Sequence, residues 1–246
     1  MYWLNKMQKL KVTEWTGWAS GLENPEDWLD WLIAPYPLIE NSSKAPASAV
    51  PPLIRRRLTS LGRAVIETTS HIYKDQDREA QSPIIFASRW GDIGLSVKLL
   101  REFATSQSIS PMGFSTSVHN AIGGIFSIAK KHTGPICALS GGVGTVANAL
   151  FEAYGYLSQG CKSVIITIYD EKTPDVFARM HDDNFTFSWT IRLELCDQGG
   201  FTIEPCNEFE NKTSSLSSLD VLRFLVTDMN SHIEPGAVGS YLFVKQ

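Results

Sequence analysis

The stretch ICALSGGVGTVANALFEAYGYL, from Ile136 to Leu157, starts as a short apolar strand, breaks at three glycines and continues as an amphipathic helix. A strand, a tight turn and a helix N-terminus make up several kinds of site, and two can be read here from the residues alone. Gly142, Val143, Gly144, Thr145, Val146 and Ala147 match G-x-G-x-x-A, in which glycines let the backbone approach a pyrophosphate at a helix pole. Asp170, at the end of the next apolar run, is placed to meet a ribose. Ala138-Leu139-Ser140-Gly141-Gly142 instead resembles a hydrolase elbow whose first glycine is alanine, with Asp170 or Asp175 and then His232 following in triad order.

Around this stretch, strands alternate with helices. Leu10 to Trp15 reads as a strand and Pro25 to Ile33 as a helix carrying Trp28, Trp31 and Leu32, stopped by Pro35 and Pro37. Asn41 to Pro52 is rich in Ser, Ala and Pro and reads as a mobile loop. Arg55-Arg56-Arg57 opens a helix that continues through Leu58, Leu61, Val65 and Ile66. Pro83 to Ser88 is compact and apolar, as for a strand buried on both faces, and a helix follows from Asp92 to Ala104.

Ser117 to Lys130 reads as one helix whose Gly123 and Gly124 admit a close backbone. Ser163 to Tyr169 is β-branched. Phe185 to Leu195 alternates apolar with Thr, Ser, Arg and Glu, which predicts a strand with one wet face or at an edge. Gly200 to Glu204 is its expected hairpin partner, followed by a helix over Leu219 to Met229 and a last strand at Tyr241 to Val244. The pattern predicts one α/β domain over 1–246, with a mixed sheet of about five strands and helices on both faces.

The 246 residues carry 22 basic and 26 acidic side chains, for a net charge of -4. That balance gives no basic footprint for nucleic acid. Cys137, Cys161, Cys196 and Cys206 form no CxxC pair and lack histidines at zinc spacing, so no metal or cofactor is called for. Neither a signal-peptide pattern nor an apolar run of membrane-spanning length is present, which makes a cytoplasmic protein the expectation.

From Ser110 to Gly160 the chain also resembles the β-ketoacyl synthase-like N-terminal domain family, the short chain-length-factor-like proteins of aryl polyene pigment clusters. The pieces IRRRLTSL (Ile54 to Leu61), IIFASRW (Ile84 to Trp90) with Gly91, and Leu157 to Tyr169 agree in order and spacing, while residues 198–246 match less well. The resemblance implies a thiolase-like half-fold. Ketosynthases of this superfamily place a cysteine at the start of the helix after the strand, where the helix pole lowers its pKa. Gly142 or Val143 stands there in this sequence, and neither can form a thioester. Cys137 lies earlier, inside the strand, as an inert thiol.

The catalytic histidine pair of those enzymes comes from a second half of the fold. His71, His119, His132, His181 and His232 match none of its motifs. The resemblance therefore implies a non-catalytic subunit that pairs with a ketosynthase, as a heterodimer or higher heteromer, in polyketide, aryl polyene or fatty-acid-like chain elongation. It meets acyl carrier protein indirectly. The expected partner interface is Ile136, Cys137, Ala138, Leu139 and Ser140 with Gly123 and Gly124. The expected tunnel-shaping residues are Ile109, Met112, Phe114 and Thr116. The competing expectation is a stand-alone enzyme, either a nucleotide-binding oxidoreductase using Gly142 to Ala147 or a Ser140 acyl hydrolase.

Overall fold

A computed structural model describes residues 8–39, 43–180, 185–206, 217–236 and 239–246. Asn41, Ser42 and His181 lie outside them. The chain runs β1 (Lys9–Ala19), α1 (Pro25–Ile33), α2 (Pro52–Arg55), α3 (Ser60–Ile72), α4 (Asp75–Glu79), β2 (Ile84–Ala87), α5 (Ile93–Ser106), α6 (Pro111–Ser117) and α7 (Ala121–Lys130). It continues through β3 (Ile136–Leu139), a 3-10 turn (Gly142–Gly144), α8 (Thr145–Ser158), β4 (Val164–Asp170), a second 3-10 segment (Asp175–Met180), β5 (Phe187–Cys196), β6 (Phe201–Cys206), α9 (Ser217–Val226), β7 (Ser231–Pro235) and β8 (Ser240–Lys245).

The described residues form one mixed sheet of eight strands, not five, in the order β3-β2-β4-β5-β1-β6-β8-β7. β2 runs parallel to β3 and β4, and every other pairing is antiparallel. β7, unmarked in the sequence reading, closes one end of the order. β6 pairs with β8 along its length and touches β1 at Leu10 and Phe201, so it is not the hairpin mate of β5.

Helices cover both faces, and β2 shows why its sequence is apolar throughout. Ile85 and Ala87 pack with Val146, Leu150 and Ala153 of α8, while Ile84 and Phe86 pack with Val65 of α3 and Phe126 of α7. The expected single helix from Ser117 to Lys130 is broken at Val118 to Asn120, where α6 ends and α7 begins. The arginine run does not open a helix either. Arg55 ends the short α2, and α3 starts at Ser60, capped by the Thr59 hydroxyl accepting from the Gly62 amide at 3.1 Å.

Residues 43–52 before it make contacts with the rest of the chain. Ala45, Ala47 and Val50 are buried, and the Arg63 guanidinium donates to the carbonyls of Ala45 (2.8 Å) and Pro46 (3.1 Å).

The largest correction concerns β5. Its alternation predicted a wet face or an edge, yet it lies between β4 and β1 and is buried on both faces from Phe187 to Leu193. Phe187, Trp189, Ile191 and Leu193 join the α8 and α9 side of the core. The polar face meets hydroxyls instead of water. Thr190 bonds Thr167 at 2.9 Å, Thr167 bonds Thr69 of α3 at 2.8 Å, and Ser188 bonds Thr68 at 2.8 Å.

Arg192 closes the row. It donates to both Asp77 carboxylate oxygens (2.6 and 2.9 Å), to the Ile72 carbonyl (2.8 Å) and to Glu14 (3.0 Å). Burial alone would raise the Asp77 pKa, but the bonds from Arg192 and the Lys74 amide outweigh it and hold the carboxyl below its ordinary value.

Candidate functional site

The site lies where β2, β3 and β4 end and α8 begins. Gly142 has φ +61°, a left-handed conformation that side chains resist, so glycine makes the turn possible. Thr145 holds it: its hydroxyl accepts from the Gly141 amide at 3.1 Å and donates to the Gly142 carbonyl at 2.7 Å. Val143, at the outer bend, is 41% exposed.

The neighbouring strands are tied together through Asp170. It accepts from the Ser88 hydroxyl (2.7 Å) and from the Arg89 and Trp90 amides (3.0 and 3.3 Å), while the Ser88 hydroxyl accepts from the Gly91 amide (2.7 Å). Burial raises the Asp170 pKa to about 6 despite these bonds. The His119 Nε2 lies 3.1 Å from the Ser88 carbonyl, so the ring braces the same loop as a donor.

The geometry opposes both enzyme readings of the turn. Ser140 donates to the Arg89 carbonyl at 2.9 Å, Asp170 is engaged by the Ser88 loop, and His232 packs its ring on Phe243 of β8. The three are not assembled as a triad. Asp175 lies at the start of the second 3-10 segment.

The pole a pyrophosphate would need is occupied by the chain itself. Glu234 of β7 is fully buried and accepts from the Ala147 amide in the first turn of α8 at 2.9 Å. Nothing in the local sequence marked Glu234, because its partner lies 87 residues earlier. Cys137 is half-buried, and burial, with the Glu152 charge adding to it, raises its pKa, as for an unreactive thiol. Among the described residues, no group of three or more His, Cys, Asp or Glu side chains could hold a metal ion.

A model of the β-ketoacyl synthase N-terminal domain matches residues 28–234, most of the chain. The chain belongs to this family. No curated protein matches the sequence. Among solved structures, the ketosynthase ApeO in complex with its chain length factor ApeC from Xenorhabdus doucetiae is similar at 24% identity. The match covers 96% of this chain and 99% of that one, with a TM-score of 0.80. The ishigamide ketosynthase/chain length factor is similar at 12% identity over 80% of this chain and 67% of that one, with a TM-score of 0.61. The complex AntDE:AntF, described as a type II polyketide synthase acyl-carrier protein with its ketosynthase, gives 10% identity, coverage of 97% and 99%, and a TM-score of 0.67. At these identities the likeness establishes the thiolase-like fold.

Seen as a ketosynthase-like turn, Gly142-Val143-Gly144 carries no thiol. Among the described residues, the strand feeding it, β3, pairs only with β2, and Ile136, Cys137, Ala138 and Leu139 are all partly exposed. The two helix glycines beside it differ. A Cβ on Gly123 would lie 3.0 Å from both Ile136 and Phe86, so this glycine serves packing within the chain. A Cβ on Gly124 would meet nothing within 4 Å.

Of the four expected tunnel residues, Ile109 and Phe114 come together. With Leu99, Leu100 and Phe103 they line an apolar groove of about 400 Å³ between α5 and α6. Met112 is exposed outside that lining, and the Thr116 hydroxyl donates to the Met112 and Gly113 carbonyls. A second apolar pocket of about 200 Å³, between Trp90, Ile93, Val97 and Phe177, shares Ser96 and Leu100 with the groove. No helix among the described residues is long and apolar enough to cross a membrane.

Proposed function

We propose that this chain is a non-catalytic, chain-length-factor-like subunit that pairs with a β-ketoacyl synthase and closes the acyl tunnel of the complex. The partner performs the condensation on carrier-bound chains of the polyene, polyketide or fatty-acid-like kind, in the cytoplasm. The observation that supports the reading is the open edge of β3, an apolar strand that among the described residues is paired on one side. An edge of this kind is a template for another strand, and α7, whose Gly123 faces Ile136 of β3, also carries Gly124, where a Cβ would meet nothing within 4 Å, and the exposed Ile128. The thiol-free turn beside the edge fits a subunit that shapes the reaction without entering it. The groove holding Ile109 and Phe114 supplies the apolar wall a growing chain needs.

Co-expression with a β-ketoacyl synthase from the same organism tests this reading. The expected result is a stable complex by gel filtration, condensation by the complex, and no malonyl decarboxylation by this chain alone. Phe114→Ala in the complex should lengthen the products and keep the rate within a few-fold. Acylation or decarboxylation by the isolated chain would falsify the assignment, and an intact complex with unchanged products would remove Phe114 from the tunnel.

A further inference from the structure

Glu234 is a fully buried carboxyl with an unusual pair of surroundings. Its Oε2 accepts from the Ala147 amide at 2.9 Å, and its Oε1 has no hydrogen-bond partner. The N-cap residue of α8 is Gly144, which has no side chain to cap the helix, so Glu234 provides that bond from a distant strand. β7 also sits hard on the turn. A Cβ on Gly144 would lie 3.2 Å from the Gly236 Cα and 3.5 Å from the Pro235 carbonyl. The space left beside the carboxyl is about 10 Å³, room for one water.

We propose that Glu234 is a proton-dependent fastener between the β7–β8 hairpin and the elbow, holding as the neutral acid and releasing as the carboxylate. The neutral carboxyl keeps a carbonyl oxygen for the Ala147 amide and leaves no bare charge on the unpartnered oxygen. The carboxylate would bury a charge in a cavity too small to hydrate it. Burial lifts the group to about 8, while the Ala147 and Val146 amides and the Arg89 charge pull the other way.

The groups around it come from several elements. Arg89 follows β2, Asp170 ends β4, Thr145 opens α8 and Ser218 lies on α9. Tyr241 of β8 pairs with Glu234 in the ladder, and His232 shares its strand. With the folded pKa above the ordinary carboxylate value, the contribution of this group is complete in acid. It is lost progressively as pH rises from the ordinary value of 4.5 through about 8 and changes no further above that.

Hydrogen exchange of the full chain, corrected for intrinsic rates, tests this between about pH 7 and about pH 9, a window in which Asp170 is already mostly ionised. With a midpoint near 8, the neutral fraction at pH 9 is about one in eleven, so protection in peptides spanning 142–150 and 231–236 should fall about ten-fold. Glu234→Gln, which stays neutral, should keep its protection across the window. Equal protection of the wild type at both pH values overturns the proposal, as does the same loss in the Gln variant. If the variant does not fold, the wild-type profile decides. A loss that levels off above about 8 and is confined to these two peptides supports the fastener, and a loss spread over the whole chain overturns it.

Discussion

β5 and β3 reverse what their compositions suggest. β5 carries Ser188, Thr190 and Arg192 yet is sealed in the middle of the sheet, whereas β3, with Ile136, Cys137, Ala138 and Leu139, stands half-exposed at its edge. The difference lies in what each strand meets. Ser188 meets the Thr68 hydroxyl of α3, Thr190 meets Thr167 of β4, and Arg192 meets Asp77 of α4, so the polar face needs no water. β3 has apolar side chains and a ladder edge that no other described strand pairs with. Among the described residues one strand is satisfied on both sides, and the other keeps the open edge on which the proposed pairing rests.

The sharpest way to break the comparison is at Arg192. Arg192→Leu leaves Asp77 buried without its partner and should cost about 3–5 kcal/mol in urea unfolding. A loss below 1 kcal/mol would mean that water reaches the carboxyl. The same pair predicts acid sensitivity. Asp77 is held below its ordinary value of 3.8, so its contribution is present above that pH and disappears as pH falls through the lower folded value. Melting curves of wild type and Asp77→Asn should therefore converge in acid.

Gly123→Val, forced against Ile136 and Phe86, should cost about 1–3 kcal/mol by overpacking. Thr69→Val cuts one link of the hydroxyl row, and its expected cost is about 1 kcal/mol. At the open edge the expected effect on stability is smallest. Gly124→Leu and Ile128→Glu should change unfolding by less than about 0.5 kcal/mol and yet abolish co-purification with a ketosynthase. Survival of the complex in both variants would move the interface away from α7.

Much of the site was legible because its signals are local. Three glycines between an apolar run and an amphipathic run specify a turn and a helix whatever surrounds them, and α8 and the elbow lie where this pattern puts them. The missing thiol at Gly142 and Val143 needs only the primary sequence once the turn is located. The helix from Pro25 to Ile33 was equally plain, since Trp28, Trp31 and Leu32 recur at helical spacing and Pro35 and Pro37 follow.

β5 was misread because alternation reports which residues are polar, not what they face. Thr68 and Thr69 lie about 120 residues from Ser188 and Thr190, and only packing brings α3 over that strand. β7 was missed for a related reason: SHIEP is short and mixed in polarity, and it becomes a strand through its ladder with β8.

By itself the sequence determined the turn, the absence of a cysteine from it and the α/β alternation, because these follow from backbone freedom and side-chain identity within a few residues. Only the tertiary structure decided that β5 is central, that β3 is the edge and that Glu234 occupies the pole of α8. Each of these depends on which distant groups satisfy a buried hydrogen bond or cover an apolar face, and a linear pattern carries no record of that.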